Sequence, residues 1–322
     1  MPRLDQIKIF LEENNLQFND LKPIQNDASF RQYFRINDKI LMDADPALGE
    51  NIKLFININS LLKDFKLNAP TIFVKDSING FILLEDLGEE IFSKILDNKN
   101  EEELYLKAIK ILSVIHQQDL NNFPQSNYID NYSIDSLIKE SLLFIDWYLK
   151  IHLKINLDSK KINEFKKILS AIFVQLDCKY DKLVLRDYHV DNLILQKSKD
   201  TLMQVGILDF QDAARGSSSY DLASIIEDVR RPISHELKNK LVASFIDQTN
   251  YNPELLAKEI PFYSLQRNLK ILGIFCRLNY RDNKTKYMSL NSNAWVYINF
   301  HLENLMMAEL KDWMHSIIPN EK

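Results

Sequence analysis

The segment Leu183-Val184-Leu185-Arg186-Asp187-Tyr188-His189-Val190-Asp191-Asn192, followed further along by Ile207-Leu208-Asp209-Phe210, decides how this chain folds. It places an asparagine five positions after an aspartate, and a second aspartate at the end of a short apolar run. Phosphoryl-transfer sites have this spacing, in which Arg-Asp is followed by four residues, an Asn and, further downstream, Asp-Phe. There, one carboxylate accepts the proton of the attacking hydroxyl, while an amide and a second carboxylate hold magnesium against ATP. Asp187 is therefore the candidate catalytic base, and Asn192 and Asp209 are the candidate Mg²⁺ ligands.

Short apolar runs flank these residues and predict three strands, at residues 182–185, 193–196 and 203–208. Asp187 would lie on the loop after the first strand, Asn192 at the start of the second and Asp209 just past the third. We expect the three side chains to converge from these strand ends. Asp and Asn also make ordinary turns between strands, which is the alternative for any one of them alone. The ordered triple favours a site.

Composition sets limits on the class of protein. A chain of 322 residues is long enough for two lobes with substantial cores. Hydrophobic residues make up 46% and the net charge is −5, so the sequence carries no basic footprint for nucleic acid or an anionic membrane. Two distant cysteines favour buried thiols in a reducing compartment, and no apolar run approaches the roughly 18 residues of a membrane-spanning helix. We expect a cytoplasmic protein that begins with an amphipathic helix rather than a signal peptide.

The hydrophobic periodicity changes along the chain. Residues 21–86 predict strands at 29–36, 39–44, 71–74 and 81–85, with one helix around residues 52–62. Beyond Gly88 the pattern is mainly helical, with predicted helices at 101–118, 133–151, 159–176, 220–229, 234–248, 255–279 and 293–317. We therefore predict an α+β, bilobal protein-kinase-like fold. Residues 1–86 would form a small β-rich nucleotide-binding N-lobe, and residues 87–322 a mainly helical C-lobe with the catalytic loops and the substrate site.

The link between these lobes is Leu84-Glu85-Asp86-Leu87-Gly88. An extended segment exposes backbone N–H and C=O groups that can read the edge of an adenine ring. This makes Glu85, Asp86 and Leu87 candidate ATP contacts. A plain interdomain turn ending at Gly88 fits the pattern equally well.

Two expected phosphate-binding parts are missing. The first glycine of the chain is Gly49, so a glycine-rich phosphate loop is absent, and Met42 stands where a phosphate-binding lysine is expected. In Ser29-Phe30-Arg31-Gln32-Tyr33-Phe34-Arg35, strand alternation places Arg31, Tyr33 and Arg35 on one face. Two guanidiniums on one face suit triphosphate oxygens, so Arg31 and Arg35, with Ser29 and Phe30, are candidate ATP contacts. The alternative is a solvated edge strand with a basic face.

Several motifs resemble those of one family. They are Asp27-Ala28-Ser29-Phe30-Arg31-Gln32-Tyr33-Phe34-Arg35, Leu83-Leu84-Glu85-Asp86-Leu87-Gly88, Arg186-Asp187-Tyr188-His189, Leu208-Asp209-Phe210-Gln211-Asp212-Ala213, Tyr220-Asp221-Leu222-Ala223-Ser224 and Gln266-Arg267-Asn268-Leu269-Lys270. From about residue 20 to 300, the chain resembles the aminoglycoside-phosphotransferase-like sugar kinases. Within that group it is most similar to the bacterial N-acetylmuramate/N-acetylglucosamine anomeric kinases of cell-wall recycling.

That resemblance implies ATP- and Mg²⁺-dependent phosphorylation of the C1 hydroxyl of an N-acetylated amino sugar. It implies that Asp187 is the base, that Asn192 and Asp209 hold magnesium, and that residues 85–87 are the adenine hinge. The family usually carries a histidine immediately before Arg-Asp, where this chain has Leu185. We expect Leu185 to be tolerated at this position, with a looser geometry of the catalytic loop.

Three further residues are candidate substrate contacts, each with a structural alternative. His189 would touch the sugar or help order the loop, and Asp212 would bind a sugar hydroxyl or cap the following turn. Arg267 would reach the substrate or remain a solvated helix charge. Asp221 is expected to be structural, either as a helix N-cap or as a support for the catalytic loop.

Other functions remain open. The acceptor of such a kinase could be another alcohol, such as an aminoglycoside or choline. The missing lysine and Leu185 also fit a nucleotide-binding regulator without turnover, although the complete set of Asp187, Asn192 and Asp209 argues against it. The sequence indicates a small-molecule partner and leaves the oligomeric state open.

Overall fold

The computed structural model describes residues 2–24, 31–176, 178–196 and 202–318. The chain divides into two compact units. Unit 1 comprises Met1–Ile95, Phe123–Ile129 and Asp191–Ala213, and unit 2 comprises Leu96–Asn122, Asp130–Val190 and Ala214–Lys322. This division differs from the predicted single boundary after Asp86, because the segment that carries Asn192 and Asp209 belongs to unit 1. The nucleotide and substrate roles assigned to residues 1–86 and 87–322 remain predictions.

Unit 1 is built on an antiparallel five-stranded sheet in the order β1-β2-β3-β5-β4. Its strands are β1 (Lys22–Ile24), β2 (Gln32–Ile36), β3 (Lys39–Asp43), β4 (Ile72–Asp76) and β5 (Phe81–Glu85). β2 is an interior strand, since β1 pairs with its outer side. The reading of β2 as an edge strand is therefore wrong, and the short β1, which contains Pro23, is a strand that sequence reasoning missed.

The described part of unit 1 also contains three α-helices, of which the first packs on the sheet. The predicted N-terminal amphipathic helix is confirmed as α1 (Arg3–Glu13), whose Ile7, Phe10 and Leu11 pack in one buried cluster with apolar residues of β2, β3 and β5. α2 (Ile52–Asp64) begins after Asn51, whose side chain accepts from the N–H of Lys53 at 2.8 Å. α3 (Phe92–Ile95) is a single turn.

Two more strands belong to unit 1. β7 (Leu193–Leu195) and β8 (Val205–Ile207) form an antiparallel pair with Leu193 opposite Ile207. The N–H of Ile207 donates to the carbonyl of Asn68 at 2.9 Å, and the N–H of Leu195 donates to the carbonyl of Glu90 at 2.8 Å. These bonds explain why a segment late in the chain belongs to the N-terminal unit.

Unit 2 is mainly helical. Its helices are α4 (Glu101–Gln117), α5 (Ile134–Leu143), α6 (Ser159–Val174), α7 (Ser219–Ile226), α8 (His235–Thr249), α9 (Pro253–Tyr280), α10 (Asn291–Leu302) and α11 (Ala308–Ile317). α5 continues into a wide π-helical turn, Phe144–His152. The 28-residue α9 runs through the core, and a Cβ at Gly273 would lie 2.3 Å from the carbonyl oxygen of Leu143, so glycine permits this close approach. A short antiparallel pair, β6 (Lys182–Val184) and β9 (Ala214–Gly216), completes the unit.

The β-rich first part and the helical remainder confirm the predicted α+β content. Two details are corrected. The three predicted strands do not form one group, because β6 pairs with the unpredicted β9 while β7 pairs with β8. The predicted helix 293–317 is two helices, since the Asn304 side chain accepts from the N–H of Met306 at 3.0 Å and starts a tight turn there.

Both cysteines are free thiols. None of the helices in the described ranges is long and apolar enough to cross a membrane.

Candidate active site

The catalytic segment follows β6 in unit 2 and is held through its backbone. The N–H groups of Leu185 and Arg186 donate to the two carboxylate oxygens of Asp221, at 2.6 and 2.9 Å. Asp221 is 1% exposed, and burial raises its pKa to about 7 against the lowering effect of these two donors. The support role expected for Asp221 is confirmed and the N-cap alternative is wrong, because Ser218 precedes α7. Backbone donors thus order the loop even though Leu185 replaces the family's histidine.

The residues beyond Asp187 are also anchored within unit 2. The hydroxyl of the buried Tyr188 donates to the carbonyl of Ala108 at 2.8 Å. The N–H of Val190 donates to the carboxylate of Asp228 at 3.3 Å. Arg186 adopts a left-handed backbone with φ of 70°, and the N–H of Asp187 donates to the carbonyl of Leu185 at 2.9 Å. Asp187 therefore lies on a short, sharply turned segment that is fixed on both sides.

Two of the predicted substrate contacts, His189 and Arg267, belong to unit 2, and both are buried. His189 has a pKa well below its usual value because burial, and the positive charges of Arg230 and Arg267, disfavour protonation, so the ring is neutral. Arg267, on α9, is 4% exposed, so the reading of a solvated helix charge is wrong. A role of either residue in substrate binding remains a prediction.

A charged cluster next to the catalytic segment includes residues that sequence reasoning did not connect. Glu140 on α5 contacts Arg186, the Tyr132 hydroxyl and, at 2.9 Å, the Nζ of Lys270 on α9. We call these four residues the Glu140 cluster. The signal was present in the sequence, because Lys270 interrupts the apolar run Leu269-Lys270-Ile271-Leu272, where a solvated lysine is out of place.

Asn192 and Asp209 come together in unit 1. Asn192 immediately precedes β7, Asp209 follows β8 by two residues, and the N–H of Leu208 donates to the carbonyl of Asn192 at 2.9 Å. Asp209 has a left-handed φ of 54°, and the amide nitrogen of Gln211 donates to its Oδ1 at 2.7 Å. Phe210 stacks on Phe55 of α2 with ring centroids 4.8 Å apart. The structure places the two residues at adjoining strand ends of unit 1. Their role as metal ligands, and their convergence with Asp187 of unit 2, remain predictions.

The donor chemistry of this pair fits magnesium. One carboxylate and one amide oxygen are hard ligands of the kind that Mg²⁺ takes together with water and nucleotide oxygens. In the described ranges, no three or more His, Cys, Asp and Glu side chains group into an all-protein metal site. Gln211 also approaches Asp212, at 3.4 Å, so Asp212 lies beside the pair in the same unit. Its role as a substrate contact remains a prediction.

The two predicted phosphate-binding arginines have different partners. The Nε of Arg31 is 2.8 Å from Oε2 of Glu50, just before α2. The Nε of Arg35 is 2.5 Å from Oδ2 of Asp86, and its Nη1 contacts Glu89. Two further predicted ATP contacts, Ser29 and Phe30, lie outside the described residues.

The Tyr33 hydroxyl is influenced both by Arg31 and by the predicted metal ligand Asp209. Burial raises the pKa of the Tyr33 hydroxyl, Asp209 and Glu50 raise it further, and Arg31 opposes them. The hydroxyl therefore feels the charges of Asp209, Arg31 and Glu50 together. Arg31 and Asp209 therefore both influence the Tyr33 hydroxyl, while Arg35 pairs with Asp86 of the predicted hinge.

The predicted hinge begins at the end of β5. The Glu85 side chain accepts from the N–H and hydroxyl of Thr71, at 3.1 and 2.8 Å. The Asp86 carboxylate accepts from the N–H of Gly88 at 2.9 Å, and the Leu87 carbonyl accepts from Gln196 at 3.2 Å. Gly88 has a φ of 99° and ends a turn, as in the alternative in which this link is a plain interdomain turn. Contact of residues 85–87 with adenine remains a prediction.

The α+β kinase-like fold and the ordered Asp187, Asn192 and Asp209 of the sequence are those expected of a phosphotransferase, and comparison with known proteins shows this class. The model of the phosphotransferase enzyme family, APH, matches residues 20–254, and the chain belongs to this family. The resemblance found in the sequence is confirmed, and with it the assignment as a phosphotransferase with an alcohol acceptor.

Curated relatives make the comparison more specific. The chain is 30% identical to the N-acetylmuramate/N-acetylglucosamine kinase of Pseudomonas aeruginosa, with 84% of this chain and 80% of the relative covered. It is 28% identical to the protein of the same name from Caulobacter vibrioides, with 97% and 96% covered. The Neisseria meningitidis protein of that name is 28% identical, with 83% and 81% covered.

Solved structures confirm the fold class. The ADP-bound aminoglycoside phosphotransferase APH(2'')-Ib has a TM-score of 0.62 at 15% identity, covering 94% of this chain and 98% of that one. Choline kinase LicA from Streptococcus pneumoniae has a TM-score of 0.62 at 15% identity, covering 92% and 99%. At this identity they show a shared fold.

Proposed function

We propose that this protein is an ATP- and Mg²⁺-dependent kinase that phosphorylates the anomeric hydroxyl of N-acetylmuramate and N-acetylglucosamine. The observation that carries this proposal is the similarity to curated relatives that bear this name over 80–96% of their own length. The site residues support it, since each group that phosphoryl transfer requires has a matching residue. We place the enzyme in the cytoplasm, acting on sugars released during cell-wall recycling.

Asp187 is the proposed base. Its carboxylate orients the sugar hydroxyl and accepts its proton as the oxygen attacks the γ-phosphorus of ATP, and the bond from that phosphorus to the departing ADP breaks. The fixed backbone on both sides of Asp187 supports this role, because positioning supplies much of the rate enhancement in phosphoryl transfer.

Asn192 and Asp209 are the proposed magnesium ligands. When bound, the ion neutralises charge on the β- and γ-phosphate oxygens. The chain's own contribution is to aim two oxygen ligands from adjoining strand ends, and Gln211 fixes the orientation of the Asp209 carboxylate. Asp212, His189 and Arg267 are the proposed sugar contacts.

Arg31, rather than Arg35, is the proposed substitute for the missing phosphate-binding lysine. In kinases, that lysine is held by a glutamate of the adjacent helix. The Arg31–Glu50 pair, immediately before α2, has the same charges, and Tyr33 brings it under the influence of Asp209. Arg35 has two acidic neighbours at residues 86 and 89, which suits a role in fixing the proposed adenine hinge of residues 85–87.

An acceptor panel tests the proposed function. The purified protein is incubated with Mg·ATP and, separately, N-acetylmuramate, N-acetylglucosamine, glucose, streptomycin, gentamicin or choline, and ADP release is measured. We expect turnover with the two N-acetyl sugars and little with glucose, which lacks the acetamido group. Turnover of an aminoglycoside or choline in place of the sugars would overturn the acceptor assignment. ATP binding without turnover of any acceptor would identify a regulator instead.

A further inference from the structure

Arg267 on α9 is a buried cation that lacks a counter-ion in the part of the chain that the structure describes. The residue is 4% exposed, and none of the described residues accepts a hydrogen bond from its buried Nη1 or forms an ion pair with its guanidinium. An arginine keeps its positive charge in folded proteins. Burying a charge without a partner is costly, so buried charges are normally paired. The fold by itself therefore does not explain Arg267.

Helical periodicity places Arg267 between two residues whose contacts are known. Residues three and four apart lie on the same face of a helix, so Arg267 shares its face of α9 with Tyr263 and Lys270. The Tyr263 ring lies against Tyr220 on α7, with ring centroids 5.7 Å apart. The Nζ of Lys270 is 2.9 Å from Oε2 of Glu140 on α5. This face of α9 is therefore directed at α5 and α7, which both pack on it.

The same two helices hold the segment that carries Asp187. Asp221 on α7 accepts from the N–H groups of Leu185 and Arg186. Glu140 on α5 contacts the Arg186 guanidinium. The unpaired guanidinium on α9 is thus on the side of that helix that packs against the elements fixing the proposed base.

The charge of Arg267 also influences the catalytic segment. Burial lowers the pKa of His189, two residues after Asp187, and the positive charges of Arg230 and Arg267 lower it further. Of these two arginines, Arg230 is paired with Asp228 at 3.2 Å, whereas Arg267 has no paired carboxylate among the described residues. This side of unit 2 is therefore suited to an anion.

We propose that Arg267 determines specificity for an acidic acceptor, and that its guanidinium binds the lactyl carboxylate of N-acetylmuramate. This inference rests on the proposed function. N-acetylmuramate differs from N-acetylglucosamine by a lactyl ether that ends in a carboxylate, and a guanidinium presents two parallel donors to such a group. The carboxylate supplies the counter-charge that the fold leaves out.

A phosphate of ATP is the other anion that a guanidinium could bind. The groups proposed to hold the phosphates and their magnesium, Arg31, Asn192 and Asp209, all belong to unit 1. Arg267 belongs to unit 2 together with Asp187, the proposed partner of the acceptor hydroxyl. The acceptor is therefore the favoured source of the anion.

The competing reading is purely structural, with Arg267 only balancing the buried Asp221. Burial raises the pKa of Asp221 to about 7, and the charge of Arg267 opposes this rise. However, the two Asp221 oxygens accept from backbone N–H groups, and no ion pair joins Asp221 to Arg267 within the described ranges. Under the structural reading, removal of Arg267 lowers stability and impairs every acceptor alike.

The test compares N-acetylmuramate with its primary amide, which keeps the shape of the lactyl group without its charge, and with N-acetylglucosamine. Sugar affinity is measured by calorimetric titration, and kcat/KM by ADP release at saturating Mg·ATP. In the wild type, the acid should exceed its amide by about 10- to 100-fold in both quantities, as expected for a charge-assisted contact. In Arg267→Met, acid and amide should agree within about threefold, because the pairwise interaction is lost.

Arg277→Met is the matched control. Arg277 lies ten residues further along α9, on a different side of the helix, and is half-buried, so the variant should keep the wild-type preference for the acid. Arg267→Lys retains a charge and should keep part of the preference. The comparison of acid with amide in the wild type needs no variant, so it remains decisive if Arg267→Met does not fold.

A wild type that binds and phosphorylates the acid and the amide alike would overturn this inference, while turnover of both N-acetyl sugars would leave the proposed function intact. A folded Arg267→Met variant that loses activity equally with the acid, the amide and N-acetylglucosamine would also overturn it, in favour of a structural or phosphate-binding role. Turnover of neither N-acetyl sugar by the wild type would overturn the proposed function and this inference with it.

Discussion

One buried carboxylate fixes the backbone on which the proposed base is carried. Asp221 accepts from two consecutive N–H groups, which supports the left-handed turn at Arg186 just before Asp187. A side-chain histidine at residue 185 is not needed for this contact, because peptide N–H groups make it. The replacement by Leu185 therefore leaves the loop ordered, and its buried side chain adds apolar packing.

Asp187→Asn is expected to lower kcat by about 10²–10⁴-fold while the nucleotide dissociation constant stays near its wild-type value, because a positioned base acts only in the transition state. Steady-state kinetics and calorimetric titration with Mg·ATP measure both quantities. Asp181→Asn, six residues earlier in the same segment, is the matched control and should keep wild-type kcat. If Asp187→Asn keeps more than about a tenth of wild-type kcat, Asp187 is not the base.

The candidate site residues that could be predicted from the sequence are those that stand at the spacing typical of phosphoryl-transfer sites. Asp187, Asn192 and Asp209 stand in a fixed order, and the structure places the last two at adjoining strand ends. Glu140 was missed because it is one of many helical glutamates, and nothing local shows that it faces Lys270, 130 positions away. Long-range ion pairs of this kind depend on how helices pack, which hydrophobic periodicity does not specify.

At the scale of elements, Arg31, which immediately precedes β2, and Arg35 within β2 have different ion-pair partners. Arg31 pairs with Glu50 and shares an electrostatic environment with Asp209 through Tyr33, whereas Arg35 joins Asp86 and Glu89. Strand alternation placed both arginines on one face but could not show which carboxylates would meet them. The same limit explains β6, whose partner β9 is a three-residue strand with no recognisable alternation.

Arg31→Met is expected to weaken ATP binding by about 1.5–3 kcal/mol more than AMP binding, because it removes a charge-assisted contact to the outer phosphates. Arg35→Met, the matched control four residues further along the chain, should change the affinities for ATP and AMP equally. Calorimetric titration of each variant with ATP and with AMP measures these affinities. A selective loss of ATP affinity in Arg35→Met, with Arg31→Met unaffected, would reverse the assignment.

At the scale of the whole molecule, family membership is established over residues 20–254, and the α+β fold is confirmed by solved relatives. The fold alone does not determine the substrate, because proteins that share this fold act on aminoglycosides or on choline according to their names. The central claim is therefore that the acceptor is the anomeric hydroxyl of an N-acetyl amino sugar.

The most direct measurement compares three forms of one sugar under identical conditions: free N-acetylglucosamine, its 1-O-methyl glycoside and its open-chain alditol. The methyl glycoside blocks C1 and the alditol abolishes the anomeric centre, while both keep the acetamido group. A kinase aimed at C1 needs the cyclic hemiacetal, since the attacking oxygen must lie within hydrogen-bond reach of its base. We predict turnover of the free sugar alone, with an acid-labile phosphate as the product. Turnover of the methyl glycoside at a rate like that of the free sugar would contradict the account.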